Sequence, residues 1–282
     1  ELILKEWREA GRPDMWSVSP NDGQGYCVCE DCRALDVPNT LDADPEKVYW
    51  GRTIGTGRYL DLWRRLLDEM RAENPDVALR TLAYSTYQQV TPEMEPLEYE
   101  DALYISLEPA YWSPEKYRLL SEWEGIGASI LLRPNFPFVA YAAPYLPLHA
   151  SGRFLKHALD TGIIGWYMNM LGYWGTQGPR YYMVARLCSR PDLGVEDVLD
   201  EYTSGFGGAA PAIRDYLSYW EEVTGRAGYP DWAGNFHTEN GFYERTLKKH
   251  NVRTHPFWGS WYIQPFLYTD KRLVEARSIL EQ

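Results

Sequence analysis

Ala102-Leu-Tyr-Ile-Ser-Leu-Glu-Pro109, then Ser113-Pro-Glu-Lys116, then Ala128-Ser-Ile-Leu-Leu132 is the stretch that decides the fold. Its outer pieces are short apolar runs, the form taken by strands buried on both faces. Between them Ser113 stands as a helix N-cap with Pro114 in the first helical position, and the helix is expected to reach Trp123. Two short strands joined by a helix make a parallel βα unit, because a parallel return needs a crossover of that length.

The same alternation extends both ways. Upstream, Trp16 and Val18 alternate with Ser17 and Ser19, predicting a strand over Met15–Ser19. A polar loop, Leu35–Lys47, leads to a helix expected from about Thr53 to Glu73, where Leu60, Trp63, Leu67 and Met70 recur at helical spacing. Asn74-Pro75-Asp76 ends it, and a strand over Val77–Tyr84 follows. Downstream, a helix over His149–Asp160 stops at Gly162 before a strand over Ile163–Met168.

The expected fold class is therefore α/β. Five such strands, entered from a helix over Leu2–Ala10, fit about strands 4–8 of a (β/α)8 TIM barrel within residues 1–178. Residues 179–282 read as a C-terminal helical region, with helices over Tyr181–Cys188, Val195–Tyr202, Ala210–Thr224 and Thr269–Glu281. An open doubly wound sheet is the alternative, but no glycine-rich nucleotide fingerprint follows any strand. The chain opens Glu1-Leu-Ile-Leu with no initiator Met and stops inside a helix, so a fragment of a longer protein is expected, with three strands upstream.

Composition narrows the function classes. The 282 residues carry a net charge of −12 and no basic tract, which argues against nucleic acid and anionic membrane as partners. No apolar run approaches the roughly 18–20 residues that span a bilayer. Twelve Trp and 22 Tyr against 8 Phe favour rings with a polar tip, suited to sugar faces as well as to core packing.

Two carboxylates stand where barrel enzymes keep their chemistry. Asp22 follows the first strand within Asn21-Asp22-Gly23, which is also an ordinary turn sequence. Glu108 leaves the strand Ala102–Leu107, with Pro109 behind it. Glycoside hydrolysis uses such a pair, one at the leaving oxygen and one at the oxocarbenium-like centre. Arg133, Asn135 and Asn169, after the last two strands, are candidate donors to hydroxyl or acetamido groups, as is Asn21. Tyr84, Tyr111, Trp112, Trp166 and Trp174 are candidate sugar platforms or core residues. Cys27, Cys29 and Cys32 are weak metal candidates: three close thiols lack the fourth ligand of structural zinc, and a buried or disulfide-linked loop staple is the competing reading. No cofactor is expected.

The stretch Ser19-Pro-Asn-Asp-Gly-Gln-Gly-Tyr-Cys-Val-Cys-Glu-Asp-Cys-Arg-Ala-Leu-Asp36 resembles the signature loop of a bacterial family first described as a domain of unknown function and then linked to glycoside hydrolase family 163. Leu79–Tyr84 is similar to that family's next strand. Tyr182–Asp192, Glu201-Tyr202 and Gly207–Pro211 resemble the helical region after its barrel. The resemblance implies a TIM-barrel enzyme that cleaves β-linked N-acetylglucosamine in glycans with retention. The substrate's acetamido group would be the nucleophile, one carboxylate orienting it and the other acting as general acid. Asp22 and Glu108 are the matching positions, and the resemblance points to a secreted or periplasmic protein. Two places depart from the family pattern: Trp166–Met170 lacks its acidic residue, and Arg133-Pro-Asn135 replaces a Trp-Asp ending. A glycan-binding barrel without catalysis and a zinc-stabilised structural module are the competing functions.

Overall fold

The structure, a computed structural model, describes residues 1–20, 26–38, 53–99, 101–108, 114–133, 144–167, 174–227, 229–230, 236–237, 242–252 and 256–282. Contacts group the chain into two units: residues 1–109, 114–134 and 161–167 in one, and 110–113, 135–160 and 168–282 in the other.

In the first unit, helix α1 (Leu2–Glu9) precedes strand β1 (Met15–Ser17), a short helix α2 (Glu30–Ala34) and strands β2 (Val37–Pro38) and β3 (Thr53–Ile54). Helix α3 (Thr56–Glu73), strands β4 (Ala78–Ala83) and β5 (Leu103–Leu107), helix α4 (Pro114–Gly125), and strands β6 (Ala128–Leu132) and β7 (Gly165–Trp166) complete it. Five strands form one sheet in the order β1-β4-β5-β6-β7, every pair parallel. The order follows the chain without a reversal. β2 and β3 form a separate antiparallel pair.

Periodicity explains α3: Leu60, Trp63, Leu67 and Met70 share one face and are almost wholly buried, with Leu66 beside them. Its Trp63 ring lies 6.4 Å from that of Trp123 on α4, and both indoles are fully buried. Gly127, at φ +85°, reverses the chain from α4 into β6, a backbone region that glycine enters without a Cβ penalty.

The elements differ from the sequence reading at their ends. The helix expected from Thr53 begins at Thr56, because Thr53 and Ile54 pair with β2 and the Gly55 N–H is taken by the Thr86 carbonyl at 2.7 Å. The last strand shrinks to Gly165–Trp166. Ile164 still donates to the Ile130 carbonyl at 2.9 Å, but it is exposed.

The second unit is mainly helical: α5 (Leu148–Asp160), α6 (Trp174–Ser189), α7 (Val195–Ser204), α8 (Ala210–Ala227), α9 (Phe242–Lys249), α10 (Pro256–Leu267) and α11 (Asp270–Leu280). A two-stranded antiparallel ribbon, β8 (Tyr229–Pro230) and β9 (Phe236–His237), lies between α8 and α9. α5 packs on α6 and α7, and α8 packs on α7 and α11. Trp220 of α8 is fully buried, 5.4 Å from the Tyr268 ring. α6 starts at Trp174, seven residues before its expected start, and runs through Pro179; the Trp174 ring lies over Gly178, where a Cβ would come within 3.1 Å of it. The sequence reading placed neither the ribbon nor α9 nor α10, and the sequence of α10 holds two prolines and a glycine among its aromatics. Among the described residues, no helix is long and apolar enough to cross a membrane.

Candidate active site

The parallel ladder does not stop at the last strand residues. Glu108 donates its N–H to the Ala83 carbonyl (3.1 Å), Arg133 to Leu107 (2.7 Å) and Tyr167 to Leu132 (2.8 Å). With Leu107 registered against Leu132 and Leu132 against Trp166, Glu108, Arg133 and Tyr167 form a row one step beyond β5, β6 and β7. Tyr84 extends that row beyond β4. This is the carboxyl edge of the sheet, where parallel α/β proteins place their chemistry.

Glu108 is 2% exposed, although a lone carboxylate buried that deeply costs several kcal/mol or more. Its Oε2 accepts from the Arg133 guanidinium, which compensates its charge. Its main-chain carbonyl accepts from the side chain of the buried Gln88, whose own carbonyl accepts from Trp123 Nε1 at 2.8 Å. Both the charge and the backbone of Glu108 are therefore held from neighbouring elements.

Tyr167 is 45% exposed, and two guanidinium groups approach its ring, Arg133 at 5.4 Å and Arg80 at 5.5 Å from the centroid. Two buried donors here lack a hydrogen-bond partner: Arg133 Nε in the row, and Trp166 Nε1 on the last residue of β7, one step before it. Buried polar groups are nearly always paired, so each is a position that a bound acceptor would satisfy. Tyr84 is half-buried and meets Tyr87 edge-on at 6.3 Å.

The structure therefore brings together Tyr84, Glu108 and Arg133 of the sequence-derived candidates, while Trp166 stands one residue back, in register with Leu132. Trp174 belongs to the second unit, where it is 55% exposed and stacks beside Tyr181 at 5.9 Å. Asn21, Asp22, Tyr111, Trp112, Asn135 and Asn169 lie outside the described residues. Sequence reading missed Arg80, Gln88 and Tyr167. Arg80 had a usable signal as the one charged residue in β4. Gln88 and Tyr167 gain meaning only from the parallel register.

The thiols lie after β1. Cys27, Cys29 and Cys32 are free, the first two exposed and the third half-buried, with all three Sγ atoms within 4.8 Å of one another. Hydrogen bonds from the Cys29 backbone, then from the Cys29 and Cys32 side chains, hold the Cys27 thiol below its ordinary range. The contacts with Cys29 and Cys27 push Cys32 up to about 11. Arg58 fastens this segment, bonding Asp36 through both carboxylate oxygens at 2.5 Å and the Cys27 carbonyl at 2.6 Å.

A groove at the opposite edge, lined by Asp14, Arg71, Asp76, Asp101 and Tyr104, lies under the amino ends of the strands, away from the Glu108 row.

No curated protein and no solved structure matches the chain. A family model described as a domain of unknown function, DUF4838, matches residues 1–218, spanning the whole sheet unit and the helices through the first half of α8. Since that match covers well over half of the sequence, the chain belongs to the DUF4838 family.

Proposed function

We propose that this protein is a glycoside hydrolase acting on a glycan with a β-linked N-acetylglucosamine, and that Glu108 is one of its two working carboxylates. The observation that carries the reading is Glu108 itself: a nearly inaccessible carboxylate at the carboxyl edge of a parallel sheet, paired with Arg133 from the next strand. Strand order without reversal supports a singly wound sheet of the TIM-barrel kind over a doubly wound one, whose order reverses at a switch point.

The ion pair bears on the division of labour. A guanidinium stays protonated throughout the working range and favours the ionised form of its partner. Glu108 thus suits the carboxylate that orients the acetamido group and stabilises positive charge at the sugar ring. The proton donor to the leaving oxygen is then the other carboxylate, and Asp22 is the residue we assign to it. Arg133 Nε is a donor for a sugar hydroxyl or the acetamido carbonyl. Tyr167, 45% exposed, adds an accessible ring at the same edge, held beside the Arg80 and Arg133 guanidinium groups.

The test is turnover of an aryl β-N-acetylglucosaminide and of an N-glycan by the wild type, Glu108→Gln and Asp22→Asn. Each substitution should lower turnover by about 100-fold or more, with circular dichroism unchanged. The wild type should leave the matching β-glucoside, which lacks the acetamido group, intact. Wild-type rates in both variants, or saccharide binding without any product, would overturn the proposal.

A further inference from the structure

We infer that Cys27, Cys29 and Cys32 form a zinc site, three thiolates on one Zn²⁺ with solvent in the fourth position. The site is separate from the carbohydrate chemistry proposed above and does not depend on it.

Convergence is the first observation. Three sulfurs contributed by only six residues of chain lie mutually within 4.8 Å. Tetrahedral zinc with Zn–S bonds of about 2.3 Å sets sulfurs about 3.8 Å apart, so the thiols need to close by no more than about 1 Å. A pair of cysteines closing a disulfide has no need of a third sulfur at the same point. An all-thiolate donor set also favours a soft or borderline metal such as zinc over magnesium or calcium.

The second observation is a scaffold that fixes the sulfurs from outside the segment. Cys29 and Cys32 flank the first turn of α2, with Arg33 N–H bonded to the Cys29 carbonyl at 3.0 Å. Arg58 ties the carbonyl of Cys27 and the carboxylate of Asp36, the two ends of the segment, to α3. That carboxylate is 4% exposed and the guanidinium 13%, so the clamp is no surface ion pair. Gly57 completes the fit, since a Cβ there would stand 2.3 Å from the Leu35 carbonyl oxygen. Preorganised ligands lower the ordering cost of capturing a metal.

Exposure is the third. Cys27 and Cys29 open to solvent, so the metal is reached from water, and among the described residues no fourth His, Cys, Asp or Glu joins the three thiols. Binding exchanges three thiol protons for one divalent cation, leaving a net charge of −1 that Arg58 faces.

Titration of the reduced, intact protein with Co²⁺ tests the site directly and needs no variant to fold. One equivalent should bind, with a sulfur-to-cobalt charge-transfer band that Zn²⁺ then abolishes. Cys27→Ser, Cys29→Ser and Cys32→Ser should each weaken binding by at least about 100-fold, more than the loss of a group that merely orients a ligand. Cys188→Ser, a change on α6 in the other unit, should leave it unaltered. The inference is overturned if the folded wild type shows no charge-transfer band, or if the band survives in the triple serine variant. A disulfide within Cys27–Cys32 that forms despite equimolar Zn²⁺ would overturn it too.

Discussion

Removing the Arg133 guanidinium should cost the sheet unit more than any surface charge could. In Arg133→Met the aliphatic stem is kept and the charge is lost, stranding a Glu108 carboxylate whose side chain is 3% exposed. Breaking one half of a buried pair costs about 3–5 kcal/mol, and the 16% exposure of Arg133 places this case near the lower figure. Loss of the contact with the Tyr167 ring adds about 0.5–1 kcal/mol. The sum, about 3–4 kcal/mol, lowers the folded-to-unfolded ratio by more than about 100-fold. Urea unfolding followed by tryptophan fluorescence should register it as a fall in midpoint of about 1 M, for a slope near 3 kcal/mol/M. Glu108→Leu combined with Arg133→Met should recover most of the loss, because no charge is then left buried, giving a coupling of at least about 2 kcal/mol. A shift under about 1 kcal/mol in Arg133→Met, or a double variant no better than the sum of the singles, would refute the argument.

Two further outcomes concern the helical unit. His149 on α5 is clamped by Glu221 on α8 (2.6 Å) and Glu196 on α7 (2.5 Å), with Arg214 also on Glu196. Burial alone would lower its pKa, but the hydrogen bonds and charges of Glu196 and Glu221 outweigh that and hold it above the ordinary value. The clamp therefore stabilises fully below about pH 6.5 and fades as pH rises through the folded-state value. The Tm advantage of wild type over His149→Gln should shrink from about pH 6 to pH 9, and an advantage independent of pH would contradict this. Gly152→Ala on α5 should cost about 1–3 kcal/mol by overpacking. Its Cβ would stand 2.5 Å from Val195 Cγ2 and 2.8 Å from Met183 Sδ. Thermal melts check this, and Val195→Ala in the same chain should restore part of the loss.

Strand β6 was readable to the residue, because glycine at 127 and the Arg-Pro pair at 133–134 bracket an unbroken apolar run. β7 was not: Ile163 and Ile164 look like core residues, yet Ile164 is exposed and only Gly165 and Trp166 pair with β6. Glu108 was legible as a strand-end carboxylate, since the apolar run stops there and proline follows. Its pairing was not. Arg133 was read as a sugar donor, and its role as counter-ion follows from the register of Leu107 on Leu132, a relation between residues distant in the chain. The thiols show the same division. Their spacing is local and visible, whereas Arg58, which aims them, comes from a helix beyond a loop.

That helix start has a wider consequence. Gly55 N–H and the Thr56 hydroxyl hold the carbonyls of Thr86 and Gln89, and between these Gln88 holds the carbonyl of Glu108. The first turn of α3 thus bears on two groups at once, the thiol segment through Arg58 and the catalytic candidate through the turn after β4. The two segments therefore share one anchor, and a substitution that disturbs that turn reaches both.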